Sequence, residues 1–174
     1  MALLRSNYGE IIELLTLLAA RLRTGGLQEA ELTRLRSHRG RIDVLERARL
    51  AGNLEAVDLD QTLWSLIESA EFSDIYLGMS NYDPRSLARK FKLILKGPDH
   101  PRSETETTSL ARNTAFELNV AGRLRTRGFD VSLPHNPDVV CTVGDVRVFL
   151  QCKRPFSDRN IRRNITKGRT TTRP

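Results

Sequence analysis

The chain has 174 residues, 39% hydrophobic and 28% charged, which describes a soluble globular protein with one real core and room for an appended helical part. No run approaches the roughly 20 apolar residues of a membrane span, and Glu10 and Glu13 beside apolar residues 11–20, without a small-residue cleavage site, argue against a signal peptide, so a cytoplasmic protein is expected. The formal net charge is +7, and residues 147–174 alone hold nine Lys or Arg against a single Asp, the footprint of a polyanion-binding end.

Residues 7–23 carry apolar positions at helical spacing and stop at Gly25-Gly26. A second helix is expected from Leu27 to Ala51, with Leu32, Leu35, Ile42, Leu45 and Ala48 as a narrow apolar stripe. Its Arg-rich remainder reads as a solvated face, because Glu29, Glu31, Asp43 and Glu46 interrupt the basic residues; nucleic-acid contact is the competing reading. Asp58 or Asp60 caps a third helix through about Ser69 or a little beyond, with Leu63, Trp64 and Ile67 as its buried side. Glu71 to Tyr82 is ambiguous. Asp83-Pro84 then reads as a cap followed by a proline at the first helical position, opening a helix from Arg85 to Lys96 that Gly97-Pro98 ends. The polar stretch 97–106, with two prolines, reads as a linker between a helical region, 1–98, and a C-terminal α/β part, 107–174, and the chain has no internal repeats.

The next helix spans about Thr107 to Arg127. At 100° per residue, Glu117 has Leu110, Val120, Ala121 and Leu124 within about 60° of it, with Arg112, Asn119 and Arg123 opposite. Glu117 is therefore expected inside the apolar stripe, where a carboxylate needs a partner; a neighbouring cation such as Lys153 is the plain choice. Gly128 ends that helix, and Phe129 to Leu133 is a first strand.

Gly144-Asp145 is a two-residue turn signal between two valine-rich runs, so strands 138–143 and 146–153 form a hairpin. Counting outward from the turn, Val143 faces Val146, Cys141 faces Val148, and Asp138 faces Gln151, with Lys153 on the same face as that last pair. Val139, Cys141, Val143, Val148, Leu150 and Cys152 point the other way, to the core. Cys141 and Cys152 share a face but lie on the order of 13 Å apart, too far for a disulfide, and read as buried thiols.

Pro137-Asp138 with Gln151-Cys152-Lys153, behind a helix and a strand, resembles the PD-(D/E)XK nucleases, the restriction-endonuclease-like phosphodiesterases, over residues 107–167. Gln151 departs from the family pattern, which usually has a carboxylate there. The resemblance implies an α+β protein in which a helical bundle precedes a partial α-β-β-β-α nuclease core. It also implies a site in which Glu117, Asp138, the Gln151 amide oxygen and the Cys152 carbonyl hold Mg²⁺ or Mn²⁺, with Lys153 orienting the attacking water or stabilising the transition state. Arg154, Arg159, Arg162, Arg163 and Lys167 would hold the backbone of a nucleic acid, DNA being the expected form. A binding module that keeps the fold without catalysis, and a helical interaction protein whose hairpin is only structural, are the competing classes.

Other residues in this part have plain readings beside functional ones. Asp138 after Pro137 also suits turn chemistry, Lys153 also suits a salt bridge at a strand end, His135 reads as a loop histidine before a general base, and Ser157 caps a helix over 158–167 or touches phosphate. After Gly168 only RTTTRP follows, which has no apolar side chain with which to form a buried strand. The strand 146–153 is thus expected to be an exposed edge unless another chain pairs with it, with low stability or self-association, and weak or absent nuclease activity, as consequences.

Overall fold

The computed structural model describes residues 7–55, 57–105, 109–134 and 138–152. The fold is α+β. Among the described residues there are five helices, α1 (Tyr8–Thr24), α2 (Thr33–Leu50), α3 (Leu59–Gly78), α4 (Pro84–Leu95) and α5 (Ser109–Thr126). They are followed by strands β1 (Asp130–Ser132), β2 (Val139–Val143) and β3 (Val146–Leu150), which form an antiparallel sheet in that order.

The helix starts follow their capping chemistry. Asn7, Asp58 and Asp83 each accept a bond from the backbone N–H three residues on, at 2.8, 3.1 and 2.8 Å, satisfying a donor that the first helical turn leaves orphaned. Pro84 occupies the first turn of α4, where its missing N–H costs nothing. The expected helix from Leu27 starts later, because Glu29–Leu32 forms a 3-10 turn and α2 begins at Thr33.

One core joins helices and sheet. Leu15, Leu18, Leu22, Leu35, Ile42, Phe72, Ile75, Leu87, Phe91 and Ile94 are nearly or wholly buried, and Phe72 meets Phe91 edge to face at 5.6 Å. The same buried cluster continues through Ala115, Leu118 and Ala121 of α5 to Val131, Val139, Cys141 and Cys152. Each large side chain buried there contributes about 1.5–3 kcal/mol. α5 is the shared element: it packs on α3 and α4, and also on β1 and β2. Where α3 meets α5, a Cβ on Gly78 would lie 2.2 Å from the Gly122 carbonyl oxygen, so the two backbones touch and neither position has room for a side chain.

Several expectations are corrected. The ambiguous stretch from Glu71 is helix as far as Gly78, so α3 has 20 residues. Its buried side is not the expected one: Leu63 and Ile67 are 58% and 44% exposed and Trp64 is half-buried, whereas Thr62, Ser65, Glu68 and Ser69 face inward. The inward residues are short, or paired with cations from α2 and α5, although the buried Ser69 hydroxyl has no hydrogen-bond partner among the described residues. On α5 Leu110 is exposed, while Arg112 and Asn119, expected outside, are buried against α3. Asn119 donates to the Glu71 carbonyl at 3.3 Å. Within the polar stretch, Asp99, His100 and Glu104 pair with Arg41, Asp60 and Arg112 of the helices.

Candidate functional site

The hairpin forms in the register its turn dictates. Gly144 takes φ +59°, a conformation that its missing Cβ permits, and Val143 pairs with Val146, Cys141 with Val148, and Val139 with Leu150. β3 ends at Leu150, earlier than expected, yet the pairing carries one step further through side chains. Gln151 Nε2 donates to Asp138 Oδ2 at 2.7 Å, and the Cys152 backbone N–H donates to the same oxygen at 2.7 Å. Two donors on one carboxylate oxygen fix the carboxylate plane. Neither bond uses Asp138 Oδ1, and the Gln151 contact is made by Nε2, not by its amide oxygen.

Val131, Val139 and Cys141 form the buried side of the sheet, and Cys152 is buried beside them, so Asp138 is held at the rim of the core by the residues that alternate with it. Cys141 and Cys152 are both free thiols, as expected. Val143 and Val148, expected in the core, are 47% and 37% exposed, and Val146 is 63% exposed. α5 lies over β1 and β2, and the turn end of the hairpin projects past that cover. Among the described residues β3 pairs on one side only, with β2.

Glu117 is half-buried on α5. Lys153, Arg154, Ser157, Arg159, Arg162, Arg163 and Lys167, with His135 and Pro137, lie outside the described residues. Of the residues assigned to the site, the described ones brought together by bonds are thus Asp138, Gln151 and Cys152. Among the described residues no group of three or more His, Cys, Asp or Glu side chains is placed to hold a metal ion. The remaining donors, carboxylate and amide oxygens with a backbone carbonyl, are hard ligands of the type Mg²⁺ and Mn²⁺ take, and in that respect the residues fit the ion.

A second polar cluster, in the helical body, was not legible as one. Arg34 of α2 clamps Glu68 of α3, with Nη2 at 2.6 and 2.7 Å from the two carboxylate oxygens, while its Nη1 donates to the Ile94 carbonyl at 2.8 Å. His38 Nε2 is 2.8 Å from Glu68, and its Nδ1 is 3.1 Å from Ser65 Oγ. Arg112 of α5 lies 3.6 Å from Glu68 and 2.7 Å from Glu104. Burial pushes the Glu68 carboxyl up, but the His38 hydrogen bond and the Arg34 charge outweigh it and hold Glu68 below the ordinary carboxylate range. The adjoining cavity, about 10 Å³ between Arg34, Glu68, Phe72, Ala111 and Arg112, is the size of one water and too small for a substrate. The sequence signal was Arg34 and His38 one helical turn apart, opposite Ser65 and Glu68 at a three-residue spacing.

The Arg-rich face of α2 is otherwise a solvated, acid-paired surface, as read: Arg36 bonds Glu29, Arg47 bonds Asp43 and Arg49 bonds Glu46. Arg34 and Arg41 are exceptions, the first buried against Glu68 and the second part-buried against Asp99 and Ser65. No protein-family model, curated protein or solved structure matches this chain.

Proposed function

We propose that the protein is a nuclease-like protein that binds, and with a divalent cation cleaves, the phosphodiester backbone of a nucleic acid, with DNA the expected form. The observation that carries this reading is the pairing of Asp138 with Gln151 at the open end of the hairpin, 2.7 Å apart, with the x-x-K position of the sequence following directly at Lys153. Asp138, Glu117, the Gln151 amide oxygen and the Cys152 carbonyl would hold Mg²⁺ or Mn²⁺. When bound there, the ion supplies an acidified water and neutralises phosphate charge. Asp138 keeps its orientation through the bonds from Gln151 and Cys152, and Lys153 would orient the water or stabilise the charge that develops on phosphorus-bound oxygen. The basic residues Arg154, Arg159, Arg162, Arg163 and Lys167 would neutralise backbone phosphates, with affinity falling steeply as salt rises.

A second reading, binding without cleavage, is favoured by one detail. Asp138 Oδ2 is already satisfied by two protein donors, an arrangement that is stable without an ion. Plasmid nicking with Mg²⁺, with Mn²⁺ and with chelator separates the two: metal-dependent nicking supports the nuclease, equal DNA binding with and without metal and no nicking supports the module, and no binding at low salt removes both. No helix among the described residues is long and apolar enough to cross a membrane. We assign the protein to the cytoplasm on its two free buried thiols, which suit a reducing compartment. Self-association through β3 remains part of the proposal, tested by sedimentation of the full chain.

A further inference from the structure

The side of the sheet turned away from α5 carries a second arrangement. Strand register aligns Ser132, Val140 and Phe149 in one row and Asp130, Thr142 and Arg147 in the next, with Asp138 and Gln151 flanking the first row on its other side. In the middle strand Val140 and Thr142 are half-buried, but Phe149 is 61% exposed. A Phe ring left in water gives up the burial that usually fixes it. The Arg147 guanidinium sits 6.0 Å from the ring centroid, on the same face of the sheet. Phe149 is one pleat repeat, about 7 Å, from Gln151. An apolar ring with an arginine beside it, next to a candidate phosphodiester site on a basic chain, matches the chemistry of an unpaired base and its phosphate: the ring stacks, the cation neutralises.

We propose that Phe149 and Arg147 form a stacking platform for an unpaired base, so that the site beside them takes single-stranded or frayed nucleic acid in preference to intact duplex. In a duplex every base face is already stacked, so an exposed ring on a strand has no free base face to reach. Asp130 lies in the row farthest from the site, with Thr142 between it and Arg147, and the carboxylate nearest the ring, Asp138, is bonded by Gln151 and the Cys152 N–H. The proposal rests on the nucleic-acid reading above, and its test is run without metal so that a failure to cut has no bearing on it.

The probes are a fluorescent oligothymidylate, an abasic deoxyribose-phosphate strand of equal length and a duplex of equal length, titrated at low salt in chelator with the full chain. Oligothymidylate is expected to bind most tightly, and Phe149→Ala to lose about five- to a hundredfold for it, the range for one base–aromatic stack, while changing little for the abasic strand. Phe149→Tyr should keep the preference, and Arg147→Ala should lower the salt slope by about one charge. Phe149 is exposed, so the variants should fold, which circular dichroism checks. Equal affinity for thymidylate and abasic strands, or unaltered binding by Phe149→Ala, overturns the platform and leaves the nuclease reading intact. Failure of the wild-type chain to bind any of the three overturns both.

Discussion

Arg34 and Glu68 form a two-pronged ion pair in the interior of the helical body, each more than nine-tenths buried, with the Arg34 guanidinium also holding the end of α4 at Ile94. Removing one partner leaves the other charge stranded. Arg34→Ala should therefore lower unfolding free energy by about 3–5 kcal/mol, measured by urea denaturation. A joint replacement, Arg34→Met with Glu68→Leu, should recover much of that loss, and a double variant as unstable as the single one would mean that His38 and Arg112 need Glu68 more than Arg34 does.

The direction of the Glu68 shift fixes a pH dependence. Its folded-state pKa lies below its unfolded value, so its contribution is present above the unfolded value of about 4.3 and is lost as pH falls through the lower folded one. Stability should be flat in this term at neutral pH and decline below about pH 4. Glu68→Gln, less stable at neutral pH, should show a shallower acid slope; an unchanged slope would place the acid-sensitive group elsewhere.

Two glycines make a paired test of packing. Gly78→Ala forces α3 and α5 apart and should cost about 1–3 kcal/mol or more, the usual range for overpacking. Gly40 lies within α2 with no atom within 4 Å of a Cβ built there, so Gly40→Ala should stabilise by about 0.5–1 kcal/mol through helix propensity alone. Thermal melts in the same buffer give both signs.

At the hairpin, Gln151→Glu would set a second carboxylate against Asp138 where the amide now donates at 2.7 Å. Without divalent ion the variant should melt lower than wild type, and added Mn²⁺ should raise its melting temperature more. Calorimetry showing unchanged affinity for Mn²⁺ would mean that position 151 does not face an ion. Asp138→Ala and Lys153→Ala should each abolish any metal-dependent cleavage. Asp138→Ala should also cost about 1–2 kcal/mol, because the Cys152 N–H loses its acceptor.

The parts legible in the sequence were those governed by short-range chemistry. Gly144-Asp145 fixes its neighbours' pairing within a few residues, and Asp83-Pro84 fixes a helix start within one turn, so both could be located without knowing the rest of the fold. The buried side of α3 could not. Leu59, Leu63 and Ile67 make a regular apolar line, and hydropathy alone turns that line inward. The structure turns it outward because Ser65 and Glu68 meet His38 and Arg34 from a helix that begins some 26 residues earlier, a match that no local window contains. Arg112 and Asn119 on α5 were misplaced for the same reason: their partners, Glu68 and the Glu71 carbonyl, lie about 45 residues away.

α5 touches Gly78 along one flank and carries the sheet along another, so the rim where Asp138 sits inherits its position from contacts made far from it. A random mutagenesis screen for loss of the proposed nucleic-acid binding should therefore return two separate sets of sites. One lies at Asp138 and its bonded neighbours. The other lies at Gly78, Gly122, Arg34 and Glu68, where a variant far from the proposed site would misplace the strands that carry it, and such variants, unlike those at Asp138, should regain the proposed binding when second-site changes restore stability.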